Sequence, residues 1–228
     1  MEMPSFKALR PRIGNEAFEQ MLMEGEHQQQ DFKFRIDDSK KIARSLVALA
    51  NTDGGRLLIG VKDNGRIAGV RSDEEFYMVE AAAQLYTQPE VPIEPVLWDV
   101  DGKRVLEVIV RRSSNKPHKA KGDEGRWLTY IRKADQNLLA NRILIEVWKH
   151  KGSKKGLKIK YTEVEAKLLD YLRHNESITI SRFRRITDVS LRKAEEILIR
   201  LICWEILEIE FSTEGAVYKL APKQREAQ

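Results

Sequence analysis

The stretch I-A-R-S-L-V-A-L-A-N-T-D-G-G-R-L-L-I-G-V, residues 42–61, constrains this chain most. Ile42, Leu46 and Leu49, flanked by Ala43, Val47 and Ala50, recur at helical spacing, and Asp37, Asp38 and Ser39 supply capping oxygens ahead of them. Asn51, Thr52, Asp53, Gly54 and Gly55 then stop the helix, and 56–61 reads as a buried strand. One glycine is enough to end a helix. A doublet set against a buried strand signals positive φ or a close backbone approach, with contact to a phosphate as the alternative.

Upstream, residues 15–23 predict a short amphipathic helix with Phe18, Met21 and Leu22 on one face, ended by Gly25. After Gln28, Gln29 and Gln30 the chain alternates as D-F-K-F-R-I over 31–36. That predicts a strand with Phe32, Phe34 and Ile36 inward, and Asp31 and Lys33 side by side on the other face. Asp63, Asn64 and Gly65 predict a tight hairpin from 56–61 into 66–70. A helix over 72–86, prolines at 89, 92 and 95, strands over 94–100 and 104–110, a polar loop over 111–125, a strand over 127–133 and a helix over 137–150 complete a first domain, 1–150. Strands and helices intermix without a regular βαβ repeat, so the expected fold class is α/β or α+β with a mixed sheet.

Residues 151–160, K-G-S-K-K-G-L-K-I-K, read as a basic linker. In the second domain, 161–228, Thr162 caps a helix carrying Val164, Leu168, Leu169 and Leu172; a short helix follows 179–181 and a third runs over 191–203. Segments 207–211 and 216–220 then flank a turn. Three helices closed by a hairpin is the winged-helix order. The formal charge is +5, and the surplus falls mostly beyond residue 151, which points to a polyanion partner. No apolar run approaches the roughly 20 residues that span a bilayer, and 1–10 has no signal-peptide stretch, so a cytoplasmic protein with no membrane partner is expected. The single cysteine, Cys203, excludes an intramolecular disulfide and sits in an apolar helical run as a packing residue does. His27, His118, His150 and His174 are scattered without zinc-ligand spacing.

The order Glu26, Asp31-Phe32-Lys33, Ala48 to Gly55, Ile59-Gly60-Val61-Lys62-Asp63 and Ile67-Ala68-Gly69 resembles the Schlafen AlbA-like domain, whose pattern is an acid, then E-F-K, A-F-A-N-T-x-G-G and I-G-V-x-D. Tyr130-Ile131-Arg132 and Asn137 to Ala140 look like that family's Y-I-R segment. The likeness covers roughly residues 14–147, and the asparagine-threonine-glycine-glycine run is its most specific part. Asp31 stands where the family has glutamate, and Leu49 where it has phenylalanine. Many bacterial members also end in a winged helix.

The resemblance implies a nucleic-acid-binding protein, a DNA-binding transcriptional regulator; the acids Glu195, Glu196 and Glu214 of the second domain leave a homodimer as the alternative use of that domain. It also implies an alternative. In Schlafen proteins that cleave transfer RNA three carboxylates are catalytic, and they fall on the positions of Glu26, Asp31 and Asp63, with Lys33 matching the lysine of E-F-K. Gathered carboxylates repel by roughly 4 kcal/mol per pair in an effective dielectric of about 20. Mg²⁺ or Mn²⁺ would offset that and activate water, while Lys33 holds a phosphate oxygen. Plain structural readings stand beside these: Asp63 as a turn former, Glu26 as a loop acid, Asp31 and Lys33 as a surface ion pair. ATP binding, another description of the family, lacks its G-x-x-x-x-G-K-[ST] loop here, leaving Asn51, Thr52, Gly54 and Gly55 as the phosphate candidates. A non-catalytic protein-interaction module is the third reading. For a nucleic-acid interface the expected residues are Lys116, Lys119, Lys121 and Arg132 in the first domain and Arg182, Arg184, Arg185, Arg192 and Lys193 in the second, where Glu195, Glu196 and Glu214 interrupt the positive charge.

Overall fold

The structure, a computed structural model, describes residues 6–152 and 161–222. A 3-10 turn at Phe6–Ala8 precedes β1 (Arg12–Ile13) and α1 (Glu16–Glu24), whose Asn15 cap accepts the Phe18 N–H and whose end is Gly25 at φ +67°. There follow β2 (Gln30–Lys33), α2 (Ser39–Asn51), β3 (Gly55–Ile59), α3 (Glu74–Leu85), β4 (Thr87–Gln88), β5 (Ile93–Val100), β6 (Lys103–Val110), β7 (Lys119–Lys121), β8 (Trp127–Leu128), β9 (Tyr130–Lys133) and β10 (Gln136–Leu139). These make up one compact unit, which ends at Leu139. The second unit holds α4 (Arg142–Lys151), α5 (Glu163–His174), α6 (Ile180–Thr187), α7 (Leu191–Cys203), β11 (Leu207–Ser212) and β12 (Gly215–Leu220).

In the first unit β3 lies inside a five-stranded sheet of order β1-β5-β6-β3-β2. It pairs in parallel with β2 and antiparallel with β6, so the sheet is mixed, as expected. Leu57 and Ile59 join the core built with α2 and α3, whereas Leu58 joins Phe18, Met21, Phe32, Trp98 and Val105 in the core that α1 covers. Successive side chains of a strand point to opposite faces, so one five-residue strand feeds both layers. α2 is buried almost all round because β7, β9 and β10 lie along it in addition to the sheet. Its cap is Asp38, which accepts the Lys40 N–H at 2.8 Å.

The glycine doublet answers to close approach. Gly54 stands at φ +74° and Gly55 at φ +144°. A Cβ on Gly54 would lie 2.7 Å from the Arg112 nitrogen, and one on Gly55 2.7 Å from the Gln29 Cα. β3 therefore enters the sheet with the main chains of both flanking segments pressed against it.

Several local expectations change in the folded chain. β2 stops at Lys33, so the alternation lapses: Phe32 and Ile36 are buried, but Phe34 is 37% exposed and Asp31 is buried. The 56–70 hairpin reduces to one bridge, Val61 to Ile67. The strand expected over 127–133 splits at Thr129 into β8 and β9, which belong to different sheets. Residues 136–139 pair with β9 as a strand, so the helix expected from 137 starts only at Arg142, after the Asn141 cap. Its Ile143 and Val147 pack with the second unit, which moves the division of the chain from 150 to between Leu139 and Ala140. Of the basic linker over 151–160, Lys151 ends α4 and Gly152 caps it, and the rest lies outside the described residues.

In the second unit α5 opens with a capping box in which Thr162 and Glu165 satisfy each other's backbone N–H groups. Glu165, buried, also pairs with Arg200 of α7. Leu168, Leu172, Phe183, Leu198 and Leu201 meet Tyr218 of the antiparallel β11–β12 pair in one core. The order of three helices and a hairpin is the expected one.

Gly55→Ala should lower stability by about 3 kcal/mol or more, because it adds a backbone clash to a conformation only glycine tolerates. Gly102→Ala, at φ +74° with open space around the added carbon, should lose only about 1 kcal/mol. Urea unfolding of the two variants checks the difference; equal losses would refute the packing account of the doublet.

Candidate functional site

Asp31 sits on the edge strand β2 and is 3% exposed. A carboxylate taken that far from water has to be paired. Its Oδ1 lies 3.2 Å from Nη2 of Arg132, and its Oδ2 lies 2.7 Å from Lys33 Nζ and accepts from Ser45 Oγ at 3.4 Å. Arg132, on β9, is itself 2% exposed. Its Nη2 also donates to the Gln30 carbonyl at 3.1 Å and its Nη1 to Asn137 Oδ1 at 3.2 Å. Asn137 Nδ2 donates in turn to Ser45 Oγ at 3.0 Å. Asp31, Arg132, Asn137 and Ser45 thus close a ring of polar contacts contributed by β2, β9, β10 and α2.

Glu26 lies beside this ring, its carboxylate accepting the Phe32 N–H at 2.9 Å. Burial raises its carboxyl above the usual carboxylate range; the Phe32 N–H pulls it down, and the neighbouring Asp31 carboxylate pushes it up. Glu26, Asp31 and Lys33 are therefore brought together as expected. Asp63 is not: it is exposed in the turn after β3, and among the described residues no group of three or more His, Cys, Asp or Glu side chains is placed to hold a metal ion. Among the described residues Asp63 therefore does not complete a three-carboxylate set with Glu26 and Asp31 for Mg²⁺ or Mn²⁺. Both Asp31 oxygens already face cations, and Glu26 already accepts from the backbone. The three-carboxylate centre expected from the resemblance does not assemble in this geometry.

The Asn51 to Gly55 run is engaged by the fold. Asn51 Nδ2 donates to the carbonyls of His118 and Tyr130, each at 2.9 Å, and its Oδ1 accepts the His118 N–H at 2.9 Å. Thr52 Oγ1 donates to the Ala48 carbonyl and accepts the Arg132 N–H, each at 2.8 Å. Gly54 and Gly55 line a groove of about 510 Å³ with Arg56, Glu107, Arg111 and Arg112, where Arg111 is paired to Glu94 and Arg56 to Glu107.

The expected interface cations separate by burial. Arg132 is enclosed in the polar ring and faces no solvent, which removes it from any interface. Lys116 is half-buried and donates to the Thr52 carbonyl at 3.2 Å; burial pulls its ammonium down to about 8, with Arg112 acting the same way and Asp53 opposing. Lys119 and Lys121 flank buried Ala120 on β7. In the second unit Arg182, Arg184 and Arg185 are exposed on α6, Arg192 is exposed in the first turn of α7, and Lys193 beside it is partly exposed. The structural partners Ser45 and His118 carry no motif signal in the sequence; the Y-I-R likeness takes in Asn137 and Arg132, with Arg132 expected at the surface. His118 is 2% exposed, with Nδ1 2.9 Å from the Pro89 carbonyl and Nε2 2.7 Å from Ser113 Oγ; burial lowers its pKa, the Pro89 contact raises it and Lys116 lowers it.

The family described as Schlafen, AlbA_2 matches residues 26–141. No curated relative matches. Among solved structures, the DIP2311 protein from Corynebacterium diphtheriae is similar at 20% identity and a TM-score of 0.45, over 87% of this chain and 39% of that one. This chain therefore spans about two fifths of that protein's length. The N-terminal domain of a RecG-related protein from Nitrosomonas europaea is similar at 26% identity and a TM-score of 0.36, over 54% of this chain and 94% of that one.

Arg132→Met should destabilise the first unit by about 3–5 kcal/mol, because it removes the buried one of Asp31's two cationic partners and leaves the Gln30 carbonyl and Asn137 Oδ1 without their donor. The double variant Asp31→Leu/Arg132→Met should lose much less than the two single losses added together. Chemical denaturation measures both, and additive losses would refute the coupling. Because burial favours neutral His118 in the folded state, an unfolded chain protonates first as the pH drops, so its contribution to stability declines below about pH 6.5. The fall in unfolding midpoint from pH 7.5 to 5.5 should be smaller in His118→Gln than in the unaltered chain.

Proposed function

Since this chain belongs to the Schlafen, AlbA_2 family, we propose that it binds nucleic acid, and that its second unit is a winged helix that docks on duplex DNA as in a transcriptional regulator. The observation that carries this reading is α6. It is anchored by a single fully buried residue, Phe183, and presents Arg182, Arg184 and Arg185 to solvent. None of the three is ion-paired to a carboxylate among the described residues; Arg182 lies 5.8 Å from the Tyr171 ring centre and Arg184 Nε 3.4 Å from the Val189 carbonyl. Guanidinium groups that no carboxylate neutralises, grouped on one helix, are suited to a row of phosphates.

The first turn of α7 adds Arg192 and Lys193. Of the acids that interrupt the charge there, Glu195 turns to Arg142 of α4 at 3.3 Å and is largely covered, while Glu196 pairs with Arg192 at 3.4 Å. One carboxylate, not two, therefore competes with the cations at this end of the helix. Phosphate neutralisation of this kind is sequence-independent, which suits positioning on a duplex more than base readout.

Gel-shift titration against random duplex DNA and against RNA, at about 50 and 200 mM salt, tests the proposal. Duplex binding should weaken steeply with salt, and the triple variant Arg182→Ala/Arg184→Ala/Arg185→Ala should bind at least about tenfold less tightly, with its log–log salt slope reduced by about 0.9 for each phosphate no longer neutralised. Absence of duplex binding at low salt, or an unchanged slope in the variant, would overturn it.

A further inference from the structure

The first unit carries a second surface with partly exposed cations beside an aromatic ring. β4, β7 and β8 make a small antiparallel sheet of their own. Register fixes what shares a face: Gln88 stands opposite Lys119, and Trp127 opposite Lys121. Directly paired residues of antiparallel strands project to the same side, and residues two apart on one strand do so as well. The other side carries Thr87, Ala120 and Leu128, of which Thr87 and Ala120 are buried and Leu128 packs on the main core. Gln88, Lys119, Lys121 and Trp127 therefore form the outward face.

Three properties of that face point to one class of ligand. Trp127 is 38% exposed, an unusual position for the largest aromatic side chain in a sheet whose reverse side is core. Neither Lys119 nor Lys121 is ion-paired to a carboxylate among the described residues. The acids in the connecting turn are already engaged: Asp123 lies 2.9 Å from Arg44 and Glu124 3.2 Å from Arg126. Lys119 and Lys121 are about 7 Å apart along the strand, comparable to neighbouring phosphates of an extended single strand. A half-exposed indole provides a flat apolar surface beside them.

We propose that this face binds single-stranded nucleic acid, one base stacking on Trp127 while Lys119 and Lys121 meet the adjoining phosphates. An aromatic platform beside cations that no carboxylate neutralises is the arrangement that holds single strands without sequence preference, because every base has a π-face and every nucleotide a phosphate. A duplex keeps its bases stacked on each other and offers no free face to the indole. The inference rests on the reading that the chain binds nucleic acid, but on a different unit and a different strand state from the duplex docking assigned to α6.

The whole chain is titrated by fluorescence anisotropy against a labelled oligothymidylate and a labelled duplex. Trp127→Ala should weaken single-strand binding roughly 5- to 100-fold and leave duplex binding unchanged. Trp127→Phe keeps a stacking ring and should retain most of the affinity. Lys119→Ala/Lys121→Ala should lower the single-strand salt slope by about 0.7 for each phosphate left without its lysine. The α6 triple variant should lose duplex binding and keep the single strand. Single-strand affinity that is absent in the unaltered chain, or that survives Trp127→Ala, overturns the proposal, as does equal loss in the Ala and Phe variants. Single-strand binding that depends on Trp127 in a chain with no duplex binding would sink the α6 assignment and leave this one standing.

Discussion

The first unit depends on a buried guanidinium. Arg132 reaches from β9 to Asp31 on β2 and to Asn137 on β10, and Ser45 of α2 closes the ring between Asp31 and Asn137. The ring ties these four elements together, in addition to the core that α2 and Tyr130 of β9 share. A buried ion pair stabilises little compared with an apolar replacement of the same shape, because desolvation offsets most of the attraction. What it does impose is geometry. Arg132 has donors in a rigid fork, and only one arrangement of β2, β9 and β10 brings their acceptors to it.

That arrangement explains how an acid-lysine pair that looks catalytic in sequence can be mechanical in the fold. Lys33 and Arg132 neutralise Asp31 from two sides, and Glu26 accepts the Phe32 N–H of the same strand. The asparagine-threonine-glycine-glycine run works toward the same end. Asn51 ties the segments around His118 and Tyr130 to α2, Thr52 accepts the Arg132 N–H, and the two glycines let β3 slide between its neighbours. The most recognisable residues of the family are thus the ones that assemble the unit. The surfaces we propose for nucleic acid lie elsewhere, on α6 and on the outward face of the β4-β7-β8 sheet. Both are marked by cations with no carboxylate paired to them among the described residues.

Legibility follows the range of the interaction. α2 is visible in sequence because Ile42, Leu46 and Leu49 repeat within the helix and Asp38 caps it from the adjoining residue. α5 is visible through Thr162 and α7 through its apolar spacing. Phe34 is misplaced by alternation because the pattern continues in sequence past Lys33, while β3, the sheet neighbour of β2, ends at Ile59 and leaves no partner to extend the strand. Trp127–Leu128 and Tyr130–Lys133 look like one strand, yet β8 pairs with β7 and β9 with β10, and which sheet a segment joins is not written in its own composition. The helix expected from residue 137 gives up its first turn to the β9–β10 pair for the same reason.

From the sequence alone come the mixed α/β class, the family, the helix and its glycine stop, the three helices and hairpin of the second unit, and the clustering of arginines on α6. The family rests on motifs spread along the first unit, and the others on patterns within about a dozen residues, where periodicity and capping act directly on the backbone. Only the tertiary structure decided that Asp31 pairs with Arg132, 101 residues away, that Asp63 stays apart from Glu26 and Asp31, that the units divide after Leu139, and that Trp127 and Lys121 share an open face. Those outcomes depend on strand register and on which distant segments exclude water together, and neither is fixed until the whole chain has packed.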